Sequence, residues 1–289
     1  MARIALVGVG LMGHGIATNL VRHGHALTVL EHPGNQPVDD LLAAGATSVS
    51  DPAALTAGAD VLMLCVTGSP QVEAVMLGEG GLVARLAPGT IVIDCSTALP
   101  ESTERVAAAV AAAGGRFLDA PMTRTPKEAA EGRLNLLVGG DADLYEECLP
   151  LLRCFAERIV HGGPVGAGHR LKLLHNFVSL GQMALLAEAF ACAGRAGIET
   201  SVLVDVLASG GGGGVALERL RPFVEHGDAS TVRFSMANAF KDLGYYAEMA
   251  ATQGAADAIA LAVRGTYERA QAQTPAAPVP ELVARLSGN

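Results

Sequence analysis

The chain has no tryptophan, and aromatic residues make up only 4% of its 289 positions, so its core has to be filled by Ala, Val, Leu and Gly. Such a composition suits closely packed helices and parallel strands. Basic residues are also scarce: 20 Lys and Arg stand against 29 Asp and Glu, a formal charge of −9. No basic run is present, so nucleic acid is not an expected partner. Five cysteines, Cys65, Cys95, Cys148, Cys154 and Cys192, are odd in number and show no CxxC spacing. This argues against a disulfide framework or a structural zinc, and for a reducing compartment. The N-terminus lacks a signal peptide's order of regions, and no uninterrupted apolar run reaches membrane-spanning length. A soluble cytoplasmic protein is expected, with no membrane contact and no metal. The length suggests two domains.

The most informative stretch is GAGHRLKLLHNFVSLGQMALLAEAFACAG, residues 166–194. As a helix from Gly168 it would be roughly 40 Å long. Leu173, Phe177, Leu180, Ala184, Ala187 and Ala191 form one apolar stripe at helical spacing, and Leu171, Leu174, Val178 and Leu185 a second beside it. A helix apolar on most of its circumference is expected to be buried. Lys172 interrupts this surface, with Asn176 and Ser179 within about 40° of it around the axis. A lysine there either snorkels to water or, desolvated and lowered in pKa, serves proton transfer. The segment by itself leaves both readings open.

From the N-terminus, the apolar run Ile4 to Val7 leads into Gly8-Val9-Gly10-Leu11-Met12-Gly13 and then a helical pattern. Strand, glycine turn and helix together make a dinucleotide fingerprint. The first glycine permits the turn, the second lets backbone approach a pyrophosphate, and the third packs helix on strand. The strand HALTVL ends at Glu31, eighteen residues past Gly13. An acid there can take the ribose hydroxyls of NAD and repels the extra phosphate of NADP. His32 beside it is able to meet a phosphate, and Glu31 also reads as a solvated strand-end charge.

Asp60 to Val66 reads as a third buried strand, and Thr90 to Asp94 as another, followed by Cys95-Ser96-Thr97. Hydroxyls at that edge either touch a nicotinamide and its ribose or bond local backbone. The strand 115–119 runs into Ala120-Pro121-Met122-Thr123-Arg124-Thr125-Pro126. Here two hydroxyls and a guanidinium suit an oxyanion, although Arg124 also reads as a solvated loop residue. Leu134 to Val138 and Arg158 to Val160 look like closing strands, and the α/β part ends near His161. Beyond the long helix the pattern is helical over roughly 201–207, 217–224, 236–249 and 255–272, with Lys241 on an otherwise apolar helix. The run Gly210 to Gly214 is either a linker or a loop that closes on ligand.

Taken together, GVGLMGHGIATNL, DCST, LDAP with EGRLNLLVGG, GPVGAGHRLKLLHN and KDL resemble the β-hydroxyacid dehydrogenase family, in the right order over essentially the whole chain. Its members include 3-hydroxyisobutyrate dehydrogenase and tartronate semialdehyde reductase. The resemblance implies a Rossmann-type, doubly wound, mostly parallel sheet in residues 1–163. An all-α substrate and oligomerisation domain is implied in 164–289, joined by the long interdomain helix. It implies oxidation of a small β-hydroxy acid, or reduction of the aldehyde acid, with NAD preferred or NADP. Homodimers or homotetramers through the helical half are also implied.

Position by position, Lys172 matches the family's catalytic lysine and Asn176 its substrate-orienting amide. Thr97 and Lys241 match cofactor contacts, as do Gly8, Gly10, Leu11, Met12 and Gly13. Cys65-Val66 matches the turn near the adenosine ribose. Thr123, Arg124 and Thr125 fall where most members carry Ser-Gly-Gly and hold the substrate carboxylate. That departure resembles the sulfolactaldehyde reductase branch, whose arginine grips a sulfonate, so a small anionic substrate such as 3-sulfolactaldehyde is expected. His175 replaces the usual Asn and lies about 60° from Lys172 around the helix. Ser96, His175 and Ser179 complete the expected substrate contacts. An imine reductase and a non-catalytic dinucleotide-binding protein are the alternatives, and the intact lysine speaks against both. Decarboxylating phosphogluconate dehydrogenases share the early motifs but are much longer.

Overall fold

The computed structural model describes residues 1–272 and 274–288. The chain divides into two compact units, Met1–Lys172 and Leu173–Asn289. The first opens with β1 (Arg3–Val7), α1 (Leu11–Arg22), β2 (Ala26–Leu30), α2 (Asp39–Ala43), β3 (Thr47–Val49), α3 (Pro52–Thr56), β4 (Val61–Leu64), α4 (Ser69–Leu77) and β5 (Ile91–Asp94). It continues through α5 (Pro100–Ala112), β6 (Arg116–Asp119), β7 (Met122–Thr123), α6 (Pro126–Ala130), β8 (Leu134–Gly140), α7 (Ala142–Leu152) and β9 (Ala156–Gly163) to the start of α8 (Ala167–Arg195).

Strands β1 to β6 pair in parallel in the order β3-β2-β1-β4-β5-β6. β8 runs antiparallel to β6 and β7, and β9 lies parallel along its other edge. The order reverses between β1 and β4, and a doubly wound sheet takes its ligand outside the carboxyl ends of such a pair. Within β1, Ile4 and Leu6 join one core with Val29, Met63, Ile93 and Leu118, while Ala5 and Val7 join another with Leu62, Leu64, Val92 and Phe117. Helices cover both faces, Ile16 and Leu20 of α1 on the first and Val72, Met76, Val106 and Val110 on the second. Two-sided burial is why these strands read as continuous apolar runs.

Two strands escape the sequence pattern. The third strand is β3, three residues at the sheet edge, so Asp60 to Val66 supplies the fourth. The two residues of β7 lie inside the segment read as a loop, too short to leave any period.

The second unit contains the rest of α8 with α9 (Thr200–Ser209), α10 (Val215–His226), α11 (Met236–Thr252), α12 (Ala258–Gln271) and α13 (Leu282–Ser287). Leu180, Met183, Ala184, Ala187 and Phe190 of α8 pack with Leu217, Leu220, Met236, Leu243 and Tyr267. The buried Tyr267 hydroxyl donates to the Leu180 carbonyl at 3.1 Å, which satisfies the one polar atom that its ring carries inside. By length and composition α8 could cross a membrane, but this stripe is the core of a helical unit. The expectation of burial on most of its circumference is corrected on the other side. Leu174, Val178 and Leu185 are 46%, 55% and 71% exposed. The glycines at 210–214 form an exposed connection from α9 to α10.

Candidate active site

The glycine turn between β1 and α1 is built for close approach. Gly8 has φ +96°, and a Cβ there would sit 2.3 Å from the Cys65 carbonyl oxygen, so only glycine fits. A Cβ on Gly13 would lie 2.0 Å from the Gly8 oxygen. At Gly10 a Cβ would meet nothing within 4 Å, which leaves space over the first turn of α1. That helix has neither a capping side chain nor an acid in its first turn, so its free N–H groups suit an anionic diphosphate. Asn35, absent from the sequence reading, pins the turn: its Oδ1 accepts from Val9 N at 3.1 Å and its Nδ2 donates to Leu30 O at 2.9 Å.

Leu11 is exposed and Met12 half-buried at the start of α1. Glu31 is exposed just past β2 and accepts from the Ser48 hydroxyl at 3.3 Å, while His32 turns its Nδ1 to Gly34 N at 3.0 Å. Cys65 and Val66 follow β4. Burial pushes the Cys65 thiol up to about 12, with the Asp94 carboxylate adding to the shift. The thiol is therefore protonated at neutral pH, and what the residue can offer a ligand is its backbone.

At the end of β5, the Ser96 hydroxyl accepts from Val66 N at 3.0 Å and Ser96 N donates to Asp94 Oδ1 at 2.9 Å. Ser96 thus ties two strand ends together, and Thr97 beside it is half-buried. Asp94 is fully buried, and its Oδ2 has no hydrogen-bond partner among the described residues. Desolvation raises its pKa above the usual carboxylate value.

The first turns of α8 are anchored by another strand-end acid. Asp119 accepts from Gly166 N at 2.7 Å through Oδ1 and from His169 N at 2.8 Å through Oδ2. A carboxylate at a helix N-terminus satisfies its orphan donors and opposes its dipole. One turn on, Lys172 is half-buried and its Nζ donates to the Met122 carbonyl at 2.7 Å. This puts the ammonium against β7, directly before Thr123-Arg124-Thr125.

Thr123 is buried in β7. Arg124 is the only non-glycine residue with positive φ among those described, at +82°, a conformation that costs an L-residue about 1–2 kcal/mol. Its Nη1 donates to the Arg133 carbonyl at 2.5 Å and pairs with the Glu157 carboxylate. Thr125 caps α6 in a reciprocal box, with Glu128 Oε2 accepting from its backbone N at 3.0 Å. The sequence signature for that box, Thr followed three residues later by Glu, was available at 125 and 128.

In the second unit, Asn176 is buried and its Nδ2 donates to Asp242 Oδ2 at 2.6 Å. The other carboxylate oxygen of Asp242 takes Lys241 Nζ at 2.6 Å, and that ammonium lies 4.8 Å from the Tyr245 ring centroid. Exposed His175 meets Asn176 Oδ1 through Nδ1 at 3.0 Å, and Ser179 is half-buried. Asp242, Asp119 and His169 were not singled out from the sequence. The acids ending the apolar runs IVID and RFLD, and the one inside KDL, were the available signal.

A glycine turn open to a diphosphate at the switch point of a doubly wound sheet, with a half-buried lysine near the ends of its strands, defines a dinucleotide-dependent oxidoreductase. The comparisons with known proteins agree. Residues 3–163 match the family model described as the NAD binding domain of 6-phosphogluconate dehydrogenase, and residues 166–279 that described as the NAD-binding of NADP-dependent 3-hydroxyisobutyrate dehydrogenase. An NAD-dependent L-serine dehydrogenase of Pseudomonas aeruginosa is 38% identical, over 77% of this chain and 74% of its own. The 3-sulfolactaldehyde reductase of Escherichia coli is 32% identical over 94% of this chain and 91% of its own. Mycobacterium tuberculosis 3-hydroxyisobutyrate dehydrogenase, solved with L-serine, superimposes with a TM-score of 0.88 at 27% identity, covering 99% of both chains. The chain belongs to the β-hydroxyacid dehydrogenase family. It is an oxidoreductase acting on a CH–OH group with NAD or NADP.

Proposed function

We propose that the protein interconverts a small anionic β-hydroxy acid and its aldehyde acid, with NAD preferred and Lys172 as the general acid/base. The observation that carries this reading is the half-buried Lys172, whose ammonium sits 2.7 Å from the Met122 carbonyl beside the Thr123–Thr125 loop. Gly8, Gly10, Leu11, Met12 and Gly13 would hold the diphosphate, Glu31 and His32 the adenosine ribose side, and Cys65, Val66, Thr97 and Lys241 the remainder of the dinucleotide. When bound, the nicotinamide takes up or returns the hydride. In oxidation Lys172, as the neutral amine, takes the hydroxyl proton and becomes the ammonium, and in reduction the ammonium returns that proton to the new hydroxyl. Asn176 orients the reacting oxygen, while Ser96, Thr123, Arg124, Thr125, His175 and Ser179 fix the acid end, so that orientation supplies much of the rate.

The proposed substrate is 3-sulfolactaldehyde or a related anion. Arg124 supports it, as does the likeness to the E. coli reductase of that name. We divide the chain functionally at 163 and 164, into a dinucleotide domain and a helical domain for substrate and oligomerisation. The exposed stripe of Leu174, Val178 and Leu185 on α8 supports a homodimer or homotetramer, because water-facing apolar rows of this kind mark contact surfaces. Light scattering checks that assignment. The proposed compartment is the cytoplasm.

The test is initial rate with NADH and NADPH on sulfolactaldehyde, succinic, methylmalonate and tartronate semialdehydes, and in oxidation on L-serine, for wild type and Lys172→Ala. A sulfonate preference supports the Arg124 reading, and a carboxylate or serine preference retires it. Lys172→Ala is expected to lose about 10²–10⁴-fold in turnover with cofactor affinity kept. Wild-type turnover in that variant overturns the lysine assignment.

A further inference from the structure

His169 is fully buried, and both of its ring nitrogens are hydrogen-bonded. Nε2 lies 3.1 Å from the Ser96 carbonyl oxygen and Nδ1 lies 2.7 Å from the Thr103 hydroxyl. Its backbone N–H rests on Asp119. The partner of Nε2 fixes one proton. A carbonyl only accepts, so Nε2 carries hydrogen. The Thr103 hydroxyl also donates to the Leu99 carbonyl at 3.0 Å, and Nδ1 lies 3.7 Å from Asp119 Oδ2.

One imidazole therefore joins three elements. Through Ser96 it holds the carboxyl end of β5, and through the Ser96 hydroxyl also the backbone of Val66 after β4. Through Thr103 it holds α5. Through its own backbone it sits in the first turn of α8, three residues before Lys172. We propose that His169 is a positioning residue for the reaction, setting the register between the Ser96–Thr97 turn and the α8 turn that bears Lys172. An apolar residue of similar volume fills the same space but leaves the Ser96 carbonyl without this donor and Thr103 with only its own-helix bond to Leu99, so the two turns are free to slide. The inference rests on the reading of Lys172 as acid/base, and the variants below separate the two.

The experiment compares His169→Leu, His169→Gln and Thr103→Val in the full chain, by kcat, by the pH profile of kcat and by NADH affinity from its fluorescence. His169→Leu is expected to lower kcat about 10–100-fold, the cost of a misplacement near 1 Å, while NADH affinity stays within about threefold. The profile keeps the wild-type limb at a lower plateau, because Lys172 still carries the proton. Glutamine, whose amide carries both a donor for the Ser96 carbonyl and a polar atom for the Thr103 hydroxyl, restores kcat to within about threefold, and Thr103→Val falls between. Wild-type kcat in His169→Leu overturns the proposal, as does His169→Gln being as slow as His169→Leu, or a loss of NADH affinity equal to the loss of kcat. If the leucine variant does not fold, wild-type kcat in Thr103→Val overturns it. Turnover surviving in Lys172→Ala removes the lysine reading and leaves the leucine–glutamine comparison to be judged by itself.

Discussion

The buried carboxylate of Asp242 accepts the Asn176 amide at 2.6 Å and, with its other oxygen, the Lys241 ammonium at 2.6 Å. One acid thereby orients the proposed substrate amide and holds the proposed cofactor lysine. It commits one amide hydrogen of Asn176 and so settles which way the group faces. Removing it in Asp242→Ala is expected to lower kcat/KM by about 10–100-fold through lost orientation. Steady-state kinetics within a factor of two of wild type would count against this role.

Arg124 keeps a left-handed backbone that glycine adopts without strain. Arg124→Gly and Arg124→Ala both lose the Glu157 pair, so their difference isolates the backbone. The glycine variant is expected to be the more stable by about 1 kcal/mol, which is about 2–4 °C in Tm for a chain of this size. Both are expected to raise KM for an anionic substrate. Equal melting temperatures would remove the strain argument.

Asp94 is buried, and desolvation, partly offset by His169 and Ser96, raises its pKa above the ordinary 3.8. The folded state then holds this proton more tightly than the unfolded state does. Its contribution to stability falls as pH rises from that ordinary value through the raised one. Asp94→Asn has no such charge to bury. Measured by denaturant unfolding, its stability relative to wild type is expected to improve between pH 4 and pH 7. A difference independent of pH would show that Asp94 titrates normally.

Glu31 stands exposed at the end of β2, where it meets the Ser48 hydroxyl. Replacing it with serine removes the charge proposed to repel a 2′-phosphate. The preference for NADH over NADPH, as a ratio of kcat/KM, is expected to shrink by about tenfold or more, equivalent to 1.4 kcal/mol. An unchanged ratio would place cofactor choice elsewhere.

Much of the fold could be read from the chain because its signals are local. Strand, glycine turn and helix follow one another within Arg3–Arg22, and two-sided burial wrote the central strands as apolar runs. Helical period alone put Lys172 and Asn176 one turn apart on α8. β3 and β7 were not legible, since three and two residues are too few to show a period. Thr125 and Ser96 show the limit of residue type as a guide. One hydroxyl caps α6 and the other receives Val66 N, uses that composition leaves open.

The sequence by itself carried a glycine fingerprint, an acid after the second strand and a lysine in a long apolar helix as contiguous or periodic features, and the resemblance of its ordered motifs to a known family supplied the class of the protein. Only tertiary structure decided which partners complete the site. Asn176 finds Asp242 across 66 positions, and Asp119 finds the start of α8 across 47 and 50. It also decided which stripe of α8 is covered, with Leu180 and Ala187 inside and Val178 and Leu185 in water. The reason is physical. Backbone periodicity depends on neighbours along the chain, whereas the pairing of a buried polar group depends on which distant element the topology brings within about 3 Å of it.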